Sequence, residues 1–301
     1  MPTDKKNIAA SIKELLRNIS KESGKEYQNL LRLYVQERFL YRLSKSLYAD
    51  NFILKGALLF LAHNISSLRP TRDIDFLGSS VSNDKTEIEK LITEILTLEF
   101  DDGLKFDIED IETEDIVKDS DYHGIRIKFF AYLENSKVRI QIDIGFGDKM
   151  IGEPTEIEFP TLLNLPAPQI KVYSIETAIA EKFEAIVSLQ LITSRLKDFY
   201  DILFFAQNYS FNKLSLNESI EVTFKHRETD LTLKNNIYED KFKYDTQLQK
   251  NWIAFLERNK LSTETDFAVI VEKIKSFLEP ALSNKKNQIW NFKEWMWKDI
   301  I

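Results

Sequence analysis

From residue 174 to the end of this 301-residue chain there is no glycine, and Pro280 is the only proline. A stretch of that length without backbone breakers reads as a bundle of helices. The glycines elsewhere are few, eight in all and about a third of the usual share. Gly56, Gly78, Gly145 and Gly147 all flank short apolar runs. Residues 4–49 read as two amphipathic helices, with Leu30, Leu31, Tyr34, Val35 and Leu43 at helical spacing. Residues 51 to about 152 alternate helix and strand. The helix is expected over Thr86–Leu96, and strand-like runs lie near 105–113, 124–134 and 137–146. Pro154, Pro160, Pro166 and Pro168 punctuate a linker before the helical half. Three parts are expected: N-terminal helices over 1–50, a mixed α and β core over 51–165, and a helical domain over 166–301.

The strand-like run Arg72-Asp73-Ile74-Asp75-Phe76-Leu77-Gly78 carries the first chemistry. Alternate residues of a strand share a face, so Asp73 and Asp75 project together while Ile74 and Phe76 enter a core. Adjacent carboxylates repel unless a cation lies between them. Mg²⁺ is the natural candidate, because it takes hard oxygen ligands and shares them with substrate phosphates. A third carboxylate, Asp143, sits in Arg139-Ile140-Gln141-Ile142-Asp143-Ile144, where the isoleucines occupy the other face. A lone charge beside a core needs a metal, a partner or loop amides such as those of Gly145 and Gly147.

Two stretches of the helical half carry charge at informative positions. A helix over about Ile175–Gln190, capped by Ser174, has Ile175, Ala178, Ile179, Ile186 and Leu189 on one apolar face. Lys182 falls at the middle of that face, with Glu176, Glu181 and Glu184 away from its centre. Its ammonium either snorkels to the edge or meets a carboxylate or phosphate. A second helix from near Ser194 buries Phe199, Ile202, Leu203 and Ala206. Arg195 and Asp198 lie one turn apart on it, and Lys197 and Asp201 are spaced as surface partners. A basic run, Thr223-Phe224-Lys225-His226-Arg227, reads as a solvated helix face or the lining of a groove for an acidic acceptor.

The net charge of −7 is unevenly placed. Ten acidic and two basic residues lie between Asp101 and Asp121, so the rest of the chain is close to neutral. That stretch reads as a solvated hairpin peripheral to a phosphate site, or as a docking surface for a basic partner. Cysteine is absent, which excludes disulfides and thiol chemistry. No apolar run of 18 residues suggests a membrane span, and the polar N-terminus lacks an export signal, so a cytoplasmic location is expected. The three histidines are far apart, which speaks against zinc.

In this order the motifs resemble those of the AbiEii/AbiGii-type nucleotidyltransferase toxins, within the DNA polymerase β-like superfamily. The resemblance rests on Phe52–Phe60, on Arg69-Pro-Thr-Arg-Asp-Ile-Asp-Phe-Leu-Gly78 and on Gln141-Ile-Asp-Ile-Gly-Phe-Gly-Asp148. It also covers Glu181-Lys182-Phe183 and Ser194–Asp201. It implies an α+β fold: a mixed-sheet nucleotidyltransferase core with flanking helices, plus a C-terminal helical bundle. It implies Mg²⁺ on Asp73, Asp75 and Asp143, catalytic roles for Asp73, Asp75, Lys182 and Asp198, and nucleotide contacts from Lys55, Gly56, Arg72 and Arg195. It further implies a nucleoside triphosphate substrate, an acceptor such as the tRNA 3′ end, and a separately encoded antitoxin. Where the family often has Gly-Gly-Thr or Gly-Ser, this chain has Gly56-Ala57-Leu58, so a hydroxyl that would touch the triphosphate is missing. The competing expectations are transfer to a protein side chain, as in AMPylation, and a non-catalytic nucleotide-binding regulator.

Overall fold

The structure is a computed structural model that describes residues 5–63, 71–117, 123–192, 195–283 and 286–300. Arg69, Pro70 and Ser194 of the sequence motifs lie outside the described residues, as do Lys118, Asp119 and Asp121 of the acidic stretch. The chain forms two compact units, Met1–Gly147 with Pro154–Tyr173, and Asp148–Glu153 with Ser174–Ile301.

The first unit runs α1 (Lys5–Ser23), α2 (Tyr27–Lys45), β1 (Phe52–Lys55), α3 (Gly56–Ala62), β2 (Asp73–Gly78) and α4 (Lys85–Leu96). It continues with β3 (Leu104–Phe106), β4 (Glu112–Val117), β5 (His123–Leu133), β6 (Ser136–Phe146), β7 (Thr155–Glu158) and β8 (Gln169–Val172). The strands form one mixed sheet in the order β3-β5-β6-β2-β1-β8-β7, with β4 also pairing β5. β2 runs parallel to β6 and antiparallel to β1. Period-two alternation sorts the two faces as expected. Ile74, Phe76, Ile127, Phe129, Ile140, Ile142 and Ile144 are buried, and Phe39 of α2 packs its ring against Phe76 and Phe129. The alternate residues, Asp73, Asp75, Gln141 and Asp143, are only half-buried.

Three expectations need correction. The run at 105–113 is two strands, β3 and β4, separated by bends at 108–110. Both lie along the outer edge of β5; β3 has only three residues, and β4, Glu-Thr-Glu-Asp-Ile-Val, has no apolar alternation. The proline-punctuated segment contains β7 and β8, and Leu54 of β1 pairs Val172 of β8. The prolines fall outside these four-residue strands, where a missing N–H costs no ladder bond.

The third correction concerns α2, which is buried nearly all round rather than amphipathic. Glu37, Arg38 and Arg42 are each 1% exposed or less. Arg42 grips Asp102 through both carboxylate oxygens, at 2.5 and 3.1 Å, which takes Asp102 out of the acidic surface. Glu37 lies 2.7 Å from Arg38 and accepts the Leu162 N–H, while Arg38 donates to the Pro166 carbonyl. The proline-rich segment is thereby fastened to α2. Burial outweighs the Arg38 charge and the Leu162 bond, and pushes the Glu37 carboxyl up to about 7. The folded protein thus holds a proton that the unfolded chain releases near 4.5. Stability is expected to fall, by at most about 3 kcal/mol, as pH rises from 4.5 through 7. Denaturation of Glu37→Gln across that range should show the slope removed, because an amide keeps the Leu162 bond without titrating.

The second unit contains α5 (Ile175–Leu189), α6 (Leu196–Asn208), α7 (Lys213–His226), α8 (Lys234–Ile237), α9 (Asp240–Lys243), α10 (Thr246–Asn259) and α11 (Phe267–Ser283). Ser174 caps α5 by accepting the Thr177 N–H, as its sequence position predicts. The bundle also carries a hairpin not anticipated from sequence, β9 (Gln288–Asn291) with β10 (Met296–Asp299). Trp290 is fully buried and donates its indole N–H to the Ala206 carbonyl, and Trp297 stacks on Phe277. Among the described residues, no helix is long and apolar enough to cross a membrane.

Candidate active site

Three adjacent strands place the carboxylates. Lys55 of β1 lies opposite Asp75 of β2, and Asp75 lies beside Asp143 of β6. Residues in register share a face, so Lys55, Asp75 and Asp143 form one row across the sheet. Asp73 lies beside Gln141, one step along. Asp143 therefore occupies the strand next to Asp73 and Asp75, and the same side of the sheet, as its sequence pattern suggests.

β1 turns into α3 at Gly56, whose φ is +68°. A Cβ built there would stand 2.0 Å from Asp75 Oδ2 and 2.8 Å from Asp75 Cβ. The glycine is thus required twice, by its backbone conformation and by the space the Asp75 side chain fills. The following Ala57 and Leu58 are buried, so this turn offers the site no side-chain hydroxyl.

Asp143 is not held by loop amides. Arg126 of β5, opposite it in register, donates Nε to Oδ1 at 2.8 Å and Nη2 to Oδ2 at 2.7 Å. Gln141 Nε2 also reaches Oδ1, at 3.1 Å. The bond to Asp143 raises the Arg126 guanidinium further above its ordinary value, with the charges of Asp143, Glu114 and Asp73 adding to it against partial burial. Glu114 of β4 lies 3.6 Å from the same guanidinium, so one residue of the acidic stretch reaches the edge of the site. Its strand is not merely solvated: Asp115 pairs with Lys85 and Glu112 with Arg139, and Glu114 also meets Lys128.

Arg32 of α2 is a second residue the sequence reading missed. Burial and the charge of Arg72 lower its guanidinium, and Asp73 raises it, so Arg32 lies within electrostatic reach of that carboxylate. The signal for Arg126 was present in the sequence. β5 and β6 are joined by a two-residue turn at Glu134 and Asn135, and counting back from that turn places Arg126 opposite Asp143.

A cation fits part of this arrangement. Asp73 and Asp75 offer hard oxygen donors on one face, and the cradle at Gly56 keeps the Asp75 carboxylate in place. Both oxygens of Asp143 are already bonded, and among the described residues no three metal-binding side chains gather as a cluster.

The second unit has its own buried charges. Lys182 does not snorkel: its ammonium lies 3.2 Å from Asp198 Oδ1 and 2.7 Å from Asp201 Oδ2, both in α6. The two carboxylates are 1% exposed or less, so this is not the surface pairing that their spacing suggested. Arg195, at the N-terminal boundary of α6, donates Nε to Asp198 Oδ2 at 2.5 Å. Burial raises the Asp198 carboxyl, but Lys182 and Arg195 together outweigh it and hold the group below its ordinary value. The basic run at 223–227 also divides. Thr223 and Phe224 are buried, and Lys225 and His226 are exposed. Arg227 is spent on Glu184 at 2.8 Å, with Asp148 and Glu181 within 3.6 Å. Glu184, expected away from the buried face of α5, is buried and also accepts from Thr229.

No curated protein sequence matches the chain. Among solved structures, JHP933 from Helicobacter pylori is similar in fold, with a TM-score of 0.52 at 16% identity over 85% of this chain and 94% of that one. A candidate nucleotidyltransferase from H. pylori gives a TM-score of 0.53 at 16% identity over 86% and 97%. The family model for the nucleotidyl transferase AbiEii toxin of type IV toxin–antitoxin systems matches residues 38–279, a span that includes the Asp73/Asp75 strand, Asp143 and the Lys182–Asp198 pair. The chain belongs to the AbiEii family of nucleotidyltransferase toxins.

Proposed function

We propose that this toxin transfers a nucleotide from a nucleoside triphosphate to an RNA acceptor such as the 3′ end of a tRNA, with Mg²⁺ held by Asp73 and Asp75. The observation that carries this reading is the carboxylate pair itself, on one sheet face with Asp75 lodged against Gly56. A bound Mg²⁺ would offset triphosphate charge and make the acceptor hydroxyl more acidic. The acceptor oxygen bonds to the α-phosphorus as the bond to pyrophosphate breaks, and the hydroxyl proton passes to a carboxylate. Lys55, opposite Asp75, and Arg32, within electrostatic reach of Asp73, favour the phosphate charge, as would Arg72 just before Asp73 in the chain. Asp143 joins the metal ligands in this reading only once Arg126 releases it. The family resemblance assigns Lys182 and Arg195 to phosphate charge, and within the second unit Asp198 holds both cations. As a toxin of a toxin–antitoxin family, the protein would be restrained by a separately encoded antitoxin.

Incubation with each labelled triphosphate, total tRNA and cell protein tests the acceptor. Label is expected on RNA; label only on protein would replace this reading with protein modification. Asp75→Asn is expected to lower transfer by about 10²-fold or more, because it removes a charged oxygen ligand. Its melting temperature should stay within a few degrees, since the change also relieves repulsion from Asp73. A fully active Asp75→Asn protein would overturn the metal assignment.

A further inference from the structure

The half-exposed sheet face that carries the carboxylates continues beyond them. Along β5 the buried residues are Phe129, Ala131 and Leu133, and the alternates Lys128, Phe130 and Tyr132 face the other way. Their partners in β6 are Gln141, Arg139 and Lys137. Lys105 of β3 lies opposite Tyr132. The Asp73 row thus passes through Gln141 to Lys128, and the next two rows hold Arg139 with Phe130, then Lys137 with Tyr132 and Lys105. Rows are two residues apart, so the last lies roughly 13 Å from the Asp73 row. Lys137 Nζ sits 3.6 Å from the Phe130 ring centroid, and Arg139 lies 5.9 Å from it.

We propose that this face of β5 and β6 is the track for an unpaired stretch of the acceptor RNA, with Phe130 and Tyr132 stacking on bases and Lys128, Lys137 and Arg139 facing phosphates. The proposal rests on the RNA-acceptor reading above. Aromatic rings half-buried on a polar sheet face, interleaved with cations, suit a ligand that has flat apolar bases and a charged backbone. A duplex hides its bases and cannot use the rings. Glu112 and Glu114 pair with Arg139 and Lys128 at the track's edge. Exposed pairs of this kind contribute little, so a phosphate can replace them.

The test measures anisotropy of an end-labelled, unstructured 12-nucleotide RNA with the full chain across salt concentrations, beside the transfer assay. The parent should bind the single strand more tightly than the same sequence as a duplex. Lys137→Gln with Arg139→Gln should lower the slope of log affinity against log salt by about 1.4, at about 0.7 per lost phosphate contact. Phe130→Leu with Tyr132→Leu should weaken binding about tenfold or more with the slope unchanged. Thermal melts accompany each variant, and if the aromatic pair unfolds, the exposed charge pair decides. Parent-like binding and slope in the folded variants, or equal affinity for duplex, would overturn the track. If the parent labels RNA and the variants match it in binding and labelling, the track fails while RNA transfer stands. If the parent binds RNA through these residues but labels only protein, the acceptor reading fails instead.

Discussion

Replacing Gly56 by alanine is expected to lower transfer at least about 10²-fold and to cost about 2–3 kcal/mol of stability. The new methyl group would meet Asp75 at three atoms, and the nearest contact, 2.0 Å, is far inside van der Waals distance. Swinging the carboxylate away does not suffice, because Asp75 Cβ itself would be 2.8 Å distant. β2 must move as a strand, or α3 must start elsewhere. The positive φ adds about 1 kcal/mol for any L side chain. Gly147→Ala is the control: its φ is also positive, but an added Cβ meets nothing within 4 Å. Chemical denaturation and labelled-nucleotide transfer of the two variants would separate backbone strain from displacement of Asp75. Equal activity in Gly56→Ala and the parent would show that the position of Asp75 against the turn does not matter.

The second large effect is at Lys182. Seen only as a lysine on an apolar helix face, it suggests that methionine would fold at least as well. The structure reverses that expectation. Lys182→Met leaves Asp198 and Asp201 buried without the ammonium between them. Breaking a buried ion pair by removing one partner costs roughly 3–5 kcal/mol. Asp198 keeps Arg195, while Asp201 loses the shorter of the two ammonium contacts, 2.7 Å against 3.2 Å. Adding Asp201→Asn to Lys182→Met should therefore recover part of the lost stability, which urea denaturation of the single and double variants would show. A single variant as stable as the parent would mean that the three groups are not coupled. Loss of transfer in Lys182→Met alone cannot be read as chemistry until that stability is known, and the double variant supplies the comparison.

These sites show which inferences local sequence supports. Asp73 and Asp75 share a face because a strand has period two, and Ser174 caps α5 because a cap needs only its own next three residues. Lys182 was conspicuous because it interrupts an apolar stripe. Asp198 was already a candidate to hold it, but Asp201, spaced as a surface partner of Lys197, was not, because helix packing is not written in one segment's periodicity. Arg126 was hidden for a different reason: it is an ordinary arginine on an alternating strand until the turn at 134–135 fixes the register. β7 and β8 carry only four residues each, too few for alternation to register, and depend on pairing with each other and with β1. The β9–β10 hairpin lies in a glycine-free stretch, and its turn is made instead by residues 292–295, with Trp295 at positive φ.

The parallel pairing of β2 with β6 also bears on when the site comes into existence. Asp73 and its neighbour Gln141 are about 70 residues apart, and the sheet's far side, β8, ends only at Val172. Closing so long a loop costs entropy before any contact repays it, so non-local strands pair slowly. A chain emerging from the ribosome at roughly 5–20 residues per second would carry the Asp73–Asp75 segment for several seconds before Asp143 is even synthesised. The carboxylate row cannot assemble before Asp143 has been made, so a polypeptide that stops short of β6 would lack it.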